Sequence, residues 1–192
     1  KNLQSFGQTV VIAFNKFATD TDEEIEVLRK HCEEMGCGFA VNSAFAEGGN
    51  GAIELANLVV KTIDERPSAP LYFAYDDNDS VEEKIEKVAF NLYGAGSVTL
   101  SDSAKAMIEE IKKLGAEKFP ICIAKTQYSF STDAKAYGPT DGFELHVRDI
   151  TVNMGAEMIV VIAGPIMRMP GLPKSPQAER IDVVNGEITG LS

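Results

Sequence analysis

Two phenylalanines stand just past the ends of predicted strands, at positions where a flat ligand could be held. Phe17 follows the apolar run 9–14, and Phe45 follows the short apolar run 39–41. Ligands of open α/β sheets bind at the carboxyl ends of the strands. Two rings at such an edge could hold a heterocycle between them, at about 0.5–1.5 kcal/mol for each stacked pair beyond area burial. The alternative is that both rings pack into the core under a loop, because apolar side chains are buried by default.

The polar residues around these rings resemble the guanine-reading half of a GTPase. Asn15-Lys16-Phe17-Ala18 is similar to an N-K-x-D motif, and Asn42-Ser43-Ala44 is similar to the start of an S-A-K motif. Ala18 stands where the guanine-binding aspartate is needed, and Phe45 replaces the lysine. A site that loses its carboxylate loses most of its discrimination. We therefore do not expect guanine recognition, and a degenerate GTPase-like nucleotide-binding domain remains only an alternative.

A glycine-rich loop at residues 48–51 precedes a predicted helix, whose N–H groups could cradle an anion. The third glycine of a dinucleotide-binding pattern is missing, because Glu54 takes its place. The chain also contains no G-x-x-x-x-G-K-[ST] motif. A plain strand-to-helix turn is therefore the favoured interpretation. Gly48 and Gly49 have no side chains, so a ligand edge could approach their backbone closely.

The other reactive residue types do not form a catalytic or metal-binding pattern. His31 and His146 have no nearby nucleophile in the sequence, so no triad is predicted. The acidic run 76–79 lacks the glycine and terminal glutamate of a calcium loop and is interpreted as a turn. The cysteines are odd in number and form no C-x-x-C pair: Cys32, Cys37 and Cys122. We predict no metal site, no disulfide and a reducing, cytoplasmic environment.

Strands and helices are predicted to alternate along most of the chain. Apolar runs predict strands at 9–14, 39–41, 70–74, 121–124, 143–152 and 158–163, and an Asn-Gly turn predicts a hairpin over 183–188. Helical spacing and capping residues predict helices over 21–35, 52–64, 80–93 and 102–114. The loop 125–142 is long enough to suggest a function, and 169–174 is too proline-rich for a regular element.

This alternation predicts an α/β fold with a parallel or mixed sheet and flanking helices. We expect a P-loop-NTPase-like architecture in the first half and a more β-rich C-terminal part. The predicted domains are an α/β region over 1–115 and a mixed α/β region over 116–192, packed together as part of one larger enzyme.

The net charge of −11 over 192 residues is concentrated in the first half, where residues 1–96 carry −9. An acidic chain without a basic stripe argues against nucleic-acid binding. The longest apolar runs are far shorter than the roughly 20 residues that cross a bilayer, so no membrane association is predicted.

Five motifs resemble consecutive motifs of formate–tetrahydrofolate ligase (10-formyltetrahydrofolate synthetase), in that family's order. They are FNKFATDTD (14–22), AFAEGGNG (44–51), PICIAKTQYS (120–129), GPTDGF (138–143) and MRMPGLPK (167–174). The family joins formate, ATP and tetrahydrofolate into 10-formyltetrahydrofolate through a formyl phosphate intermediate. The order of the motifs implies the C-terminal portion of such an enzyme.

The resemblance assigns roles to residues in or beside three of the five motifs. The family's aromatic sandwich around the pterin falls on Phe17 and Phe45, with Val41 beside the ring and the Gly48-Gly49 backbone at its edge. The second aromatic position is commonly Trp in the family, so the smaller ring of Phe45 keeps stacking but loses an indole N–H. Gly138-Pro139-Thr140 matches the region that lines adenine, although a purely structural turn is an equal alternative.

The resemblance also implies what the chain lacks. The phosphate-gripping glycine loop and its lysine would lie in a missing N-terminal part, and the first residue, Lys1, is not a methionine. No catalytic residue is assigned, and the isolated chain is expected to be inactive. The implied substrates are ATP with Mg²⁺, tetrahydrofolate and formate, without a prosthetic group. At full length the enzyme is expected to be a homo-oligomer.

The alternative class is a non-catalytic folate-binding or oligomerisation module. Cations that could attract phosphate or carboxylate groups are Lys125, Arg148, Arg168 and Lys174.

Overall fold

The computed structural model describes residues 1–166 and 174–191. They form two β-sheets with flanking helices, followed by a terminal β-hairpin. The helices are Asn2–Ser5 (α1), Asp22–Glu34 (α2), Ala44–Glu47 (α3), Ile53–Glu65 (α4), Val81–Val88 (α5) and Asp102–Leu114 (α6). The strands are Val11–Asn15 (β1), Gly38–Asn42 (β2), Ala95–Leu100 (β3), Ile121–Ala124 (β4), Phe143–Asn153 (β5), Met158–Ala163 (β6), Asp182–Val184 (β7) and Glu187–Thr189 (β8). The predicted α/β class with flanking helices is confirmed.

The first sheet consists of β1 and β2, which run parallel with Val11 opposite Gly38 and Asn15 opposite Asn42. Helix α2 joins them and begins with the predicted capping box, in which the Thr21 hydroxyl accepts from the Glu24 amide and the Glu24 carboxylate accepts from the Thr21 amide. These bonds satisfy two of the amide donors that a helix leaves unpaired at its start. Parallel strands joined by a helix bring both carboxyl ends to the same edge.

Strand β1 is more exposed than its continuous apolar sequence predicts. Ile12 is 38% exposed and the Ala13 side chain is also exposed, because β1 lies at the edge of a two-stranded sheet. A continuous apolar run of this kind indicates a strand buried on both faces, and β1 is not buried in that way. Its apolar composition is that of a strand with neighbours on both sides.

The strand predicted at residues 70–74 does not form. The Tyr72 amide donates to the Phe6 carbonyl at 3.1 Å, and a Cβ on Gly7 would meet the Tyr72 ring at 2.7 Å. These contacts tie the segment to the turn after α1 instead of to a sheet. Its apolar side chains remain largely solvent-exposed: Leu71, Tyr72 and Phe73.

The second sheet is mixed and has the strand order β3-β5-β6-β4. The pairs β3–β5 and β4–β6 are parallel, whereas β5–β6 is antiparallel. Helices α5 and α6 supply apolar side chains to its core, including Ile85 and Ile108, which meet Leu145 and Val161 from the sheet. The sequence did not predict β3.

The core of the second sheet spans the predicted domain boundary at residue 115. Its buried members run from Val81 to Ala163, so α5, β3 and α6 pack with β4–β6. The division into 1–115 and 116–192 stays a prediction.

A fully buried lysine links helix α5 to the segment before β4 and to Tyr75. The Lys84 ammonium group on α5 donates to the carbonyls of Glu117 at 2.6 Å and Phe119 at 3.3 Å. It also lies 5.7 Å from the centre of the Tyr75 ring, whose hydroxyl accepts from the Ile121 amide. Burial lowers the pKa of Lys84, while nearby carboxylates, chiefly Asp77, raise it. The charge is therefore buried with hydrogen-bond partners, as a buried charge requires.

The terminal hairpin confirms its predicted turn. Asn185 and Gly186 have φ values of 53° and 84°, the left-handed pair that a two-residue turn of this type requires. The proline-rich segment 169–174 lies almost entirely outside the described residues. No helix in the described part of the chain has the length and apolar character needed to span a membrane.

Candidate ligand-binding site

The carboxyl ends of β1 and β2 form one edge, held together by polar side chains. The Asn42 side-chain amide donates to the Asn15 side-chain oxygen at 2.9 Å, and the Asn42 oxygen accepts from the Ala44 amide at 3.3 Å. The Lys16 amide extends the ladder by donating to the Asn42 carbonyl at 3.0 Å. These bonds fix the directions in which the chain leaves both strands. The sequence patterns do not predict this role for the two asparagines, although each occupies the last position of its strand.

Phe17 and Phe45 both project into solvent from this edge. Phe17 is 63% exposed in a turn where its amide donates to an Asp20 carboxylate oxygen at 2.7 Å. Phe45 is 96% exposed on the short helix α3. Packing of these rings into the core, the alternative left open by the sequence, is therefore wrong. The two rings make no contact with each other in the described structure.

Val41 and the glycine loop support the edge from behind. Val41 is partly buried in β2 and packs on a small core that includes Ile25 and Phe39. The predicted loop at 48–51 is a 3₁₀ turn, Gly48–Ala52. A Cβ on Gly51 would lie 2.5 Å from the Ser43 backbone carbon, so only glycine fits this turn. No atom lies within 4 Å of a Cβ built on Gly48 or Gly49, which leaves room beside both backbones.

A second candidate region lies at the start of β3 and β5. Pro139 and Thr140 line a cavity of about 420 Å³, within the range of small-molecule sites. Its other lining residues are Ser131, Thr132, Asp133, Ala136, Asp141, Phe143 and Glu144. The Thr140 hydroxyl donates to the Tyr93 carbonyl at 3.0 Å. Gly138 has a φ of 82° and belongs to the same turn.

Gly94 holds this turn in position by its lack of a side chain. Its φ is 76°, and a Cβ there would lie 2.5 Å from the Thr140 carbonyl oxygen. The Gly142 amide donates to the Gly94 carbonyl at 2.8 Å. The turn therefore rests directly on the backbone that leads into β3.

Lys125 is occupied within the protein. Its ammonium group donates to the Ser129 carbonyl and, at 3.4 Å, to the Thr126 carbonyl. It lies 4.8 Å from the centre of the Tyr93 ring and 5.8 Å from that of Phe130. Burial lowers the pKa of Lys125. The residue therefore holds the first part of the loop 125–142 beside Tyr93, a role that the sequence patterns do not predict.

The remaining predicted cations differ in their surroundings. The Arg148 guanidinium donates to the Ile166 carbonyl at 3.0 Å, and Lys174 is exposed. Arg168 lies outside the described residues. Within 1–166 and 174–191, no group of three or more His, Cys, Asp or Glu side chains could hold a metal ion.

The fold places the chain among α/β proteins with parallel strands, a class in which ligands bind at the carboxyl ends of the strands. The family model described as formate–tetrahydrofolate ligase matches residues 1–192. The chain belongs to the formate–tetrahydrofolate ligase family.

Individual relatives agree with this membership. Proteins named formate–tetrahydrofolate ligase from Bacteroides fragilis and Phocaeicola vulgatus are 64% and 65% identical over 192 residues, which is 100% of this chain and 35% of each relative. The ligase from Campylobacter curvus is 48% identical over 191 residues, or 98% of this chain and 34% of the relative. The chain thus spans about a third of the length of these relatives. The matches do not bear out the C-terminal placement predicted from the motif order.

Proposed function

We propose that the chain is the folate-binding part of an ATP-dependent ligase that formylates tetrahydrofolate to 10-formyltetrahydrofolate through formyl phosphate. The observation that carries this proposal is the exposure of Phe17 and Phe45, 63% and 96%, at one sheet edge. Large apolar rings in solvent lose the favourable free energy of burial, which a bound ligand would restore.

A pterin matches the shape and chemistry of this edge. Its flat ring would lie between Phe17 and Phe45, because aromatic side chains stack best on a flat partner. Val41 would contact the ring from β2, and the open Gly48-Gly49 backbone would admit its edge. The amide side chains of Asn15 and Asn42 lie on the strand ends from which both phenylalanines project.

The cavity beside Pro139 and Thr140 is proposed to hold the adenine of ATP. Its volume of about 420 Å³ is sufficient for a purine with part of its ribose. The carboxylates of Asp133, Asp141 and Glu144 line the same cavity and would repel a triphosphate. The phosphates must therefore point out of the cavity, toward a part of the ligase outside this chain.

Phosphoryl transfer commonly relies on a glycine-rich phosphate-binding loop with a lysine, and the sequence contains no such G-x-x-x-x-G-K-[ST] motif. The transition state is stabilised mainly by a phosphate-binding loop, cations and Mg²⁺. The isolated chain is proposed to bind substrates without catalysis, and formate activation is assigned to the remaining length of the ligase. A homo-oligomer at full length and a cytoplasmic location remain predictions.

Calorimetric titration of the isolated chain with tetrahydrofolate, ATP and GTP tests this function. We expect measurable tetrahydrofolate binding, preference for ATP over GTP, and no 10-formyltetrahydrofolate when formate and ATP are supplied. Product formation would show that the chain carries its own activating groups. Preference for GTP would instead favour the GTPase-like alternative. The remaining length of the ligase can then be added back to the chain. If the chain still binds tetrahydrofolate but the reassembled protein stays inactive, the non-catalytic folate-binding module is favoured.

The nucleotide cavity can be tested separately through Gly94. Gly94→Ala is expected to weaken ATP binding by about tenfold or more, because the new Cβ displaces the Thr140 carbonyl that shapes the cavity. Gly115→Ala is the matched control. Gly115 has a similar φ of 66° but nothing within 4 Å of its Cβ position. Equal ATP affinities in the two variants would remove the 138–142 turn from the nucleotide site.

A further inference from the structure

The outer edge of β1 carries backbone hydrogen-bonding groups that have no partner among residues 1–166 and 174–191. The Gly38 amide donates to the Val10 carbonyl, and the Lys16 amide donates to the Asn42 carbonyl. Even-numbered residues of β1 therefore direct their amide and carbonyl groups toward β2. Because the direction alternates along a strand, the backbone groups of Val11, Ala13 and Asn15 point away from β2. In the described part of the chain, β1 pairs with β2 alone.

This edge has none of the features that protect exposed strands from pairing. Natural edges are commonly blocked by charges, proline, bulges or a covering segment. Strand β1 reads Val-Ile-Ala-Phe-Asn, without a charge or a proline, and its register with β2 is regular. The segment 67–68 covers only its beginning, where the Thr9 amide donates to the Ser68 hydroxyl at 3.0 Å.

A cavity beside the same edge shows where side chains of a further strand would fit. It has a volume of about 390 Å³ and lies between the start of β1 and the second half of α4. Val11, Val59 and Ile63 line it, and Ile63 is 63% exposed. Helix α4 packs against both strands of the sheet, and its residues Val59 and Ile63 face this cavity together with Val11.

The relatives' length and the chain's charge indicate what occupies this edge. The matched region is 35% of the Bacteroides fragilis ligase, so about two thirds of that polypeptide is available to pair with it. A second copy of this chain would bring together two molecules that each carry a net charge of −11. Like-charge repulsion disfavours that pairing.

We propose that the outer edge of β1 receives a strand from the part of the ligase polypeptide outside this chain, which continues the first sheet. The added strand bonds to the backbone of Val11 and Ala13, and its side chains fill the cavity against α4. The inference rests on family membership and on the sheet edge, and it does not depend on the folate or nucleotide sites.

Amide hydrogen exchange tests the proposal with proteins of natural sequence. The Val11 and Ala13 amides should exchange at least about tenfold more slowly in the full-length Bacteroides fragilis ligase, at the corresponding positions, than in this chain alone. The Ile12 and Phe14 amides point toward β2 and serve as internal references. Fast exchange of both outer amides in the full-length ligase would overturn the proposal. So would concentration-dependent protection in this chain alone, because it would identify a second copy as the partner.

A proline substitution tests the same edge by association. Ala13→Pro removes an outward donor and leaves the β1–β2 ladder intact, since proline is tolerated at an edge strand whose N–H faces out. When the chain is co-expressed with the remaining length of the Bacteroides fragilis ligase, Ala13→Pro should reduce co-purification by about tenfold or more. Ala13→Ser retains the amide and should co-purify like the unmodified chain. Equal recovery of the folded proline and serine variants would contradict the proposed pairing.

Discussion

Phe45→Ala is expected to weaken tetrahydrofolate binding by about tenfold or more. A stacked aromatic pair contributes about 0.5–1.5 kcal/mol beyond area burial, and tenfold in Kd corresponds to about 1.4 kcal/mol. The Phe45 side chain is 96% exposed, so its removal should leave the free energy of unfolding almost unchanged. Titration calorimetry measures the affinity, and urea denaturation of the same samples checks the fold.

The control for Phe45 is another exposed phenylalanine away from the strand ends. Phe73 is 79% exposed, and Phe73→Ala removes the same apolar area without touching the proposed site. Both variants binding like the unmodified chain would exclude stacking on Phe45. Loss of affinity in both would point to nonspecific adsorption on exposed rings.

A tryptophan at the same position provides a direct optical signal. The chain contains no tryptophan, so Phe45→Trp introduces one indole at the proposed site. We expect its fluorescence to change on tetrahydrofolate addition and its affinity to equal or exceed that of the unmodified chain, because the larger ring offers more stacking area.

Lys84→Met is expected to lower the free energy of unfolding by about 2–3 kcal/mol. The substitution keeps an unbranched apolar stem but removes the ammonium group that satisfies the carbonyls of Glu117 and Phe119. Those carbonyls would lose a charge-assisted partner, and the contact with the Tyr75 ring would also be lost. Urea denaturation followed by circular dichroism measures the change.

The dependence of this effect on pH has a definite sign. Burial lowers the pKa of Lys84, so the folded chain holds fewer protons than the unfolded chain in the alkaline interval between the lowered pKa and the ordinary lysine value. The free energy of unfolding contributed by this group therefore rises with pH across that interval. Lys84→Met should abolish the rise.

Lys87→Met is the matched control for Lys84. Lys87 lies one turn further along α5, and its ammonium group contacts an Asp79 carboxylate oxygen at 2.6 Å near the surface. Its side chain is 43% exposed, so solvent can replace the ion pair and the loss should be much smaller. Equal losses in the two variants would mean that burial of Lys84 adds nothing to the strength of its hydrogen bonds.

The elements that the sequence predicts well are those fixed by local chemistry. The capping boxes that begin α2 and α5 satisfy helix amides with side chains three residues away. Gly115 ends α6 in the left-handed conformation, as its position after the apolar pattern indicates. These features need no knowledge of the rest of the fold.

The elements that the sequence misses depend on distant partners. Strand β3 contains Gly96, which weakens its strand pattern, and it forms by pairing with β5. The segment 70–74 has the composition of a strand, but its Tyr72 pairs with the chain near Phe6 instead. In both cases, the deciding hydrogen bond joins residues more than forty positions apart in the sequence.

The candidate site also has a part that the sequence predicts and a part that depends on distant contacts. Sequence patterns locate Phe17 and Phe45 after two strands, but they do not decide between core and solvent. That decision comes from the tertiary structure, which leaves both rings exposed. Burial of Lys84 had a detectable signal, because Val81, Lys84, Ile85 and Val88 share one helical face, yet a lysine is ordinarily expected in solvent.

The registers of the two sheets bear on where folding begins. Val11 pairs with Gly38, 27 positions away, whereas Val98 pairs with Leu145, 47 positions away. Loop-closure entropy favours the shorter connection by only about 0.5 kcal/mol. Burial of one aliphatic side chain contributes more, about 1.5–3 kcal/mol, and most buried side chains belong to the second sheet. We therefore expect the nucleus to form around β3–β6. Strands β1 and β2, which lead to Phe17 and Phe45, should join late and reach their final order together with the rest of the ligase.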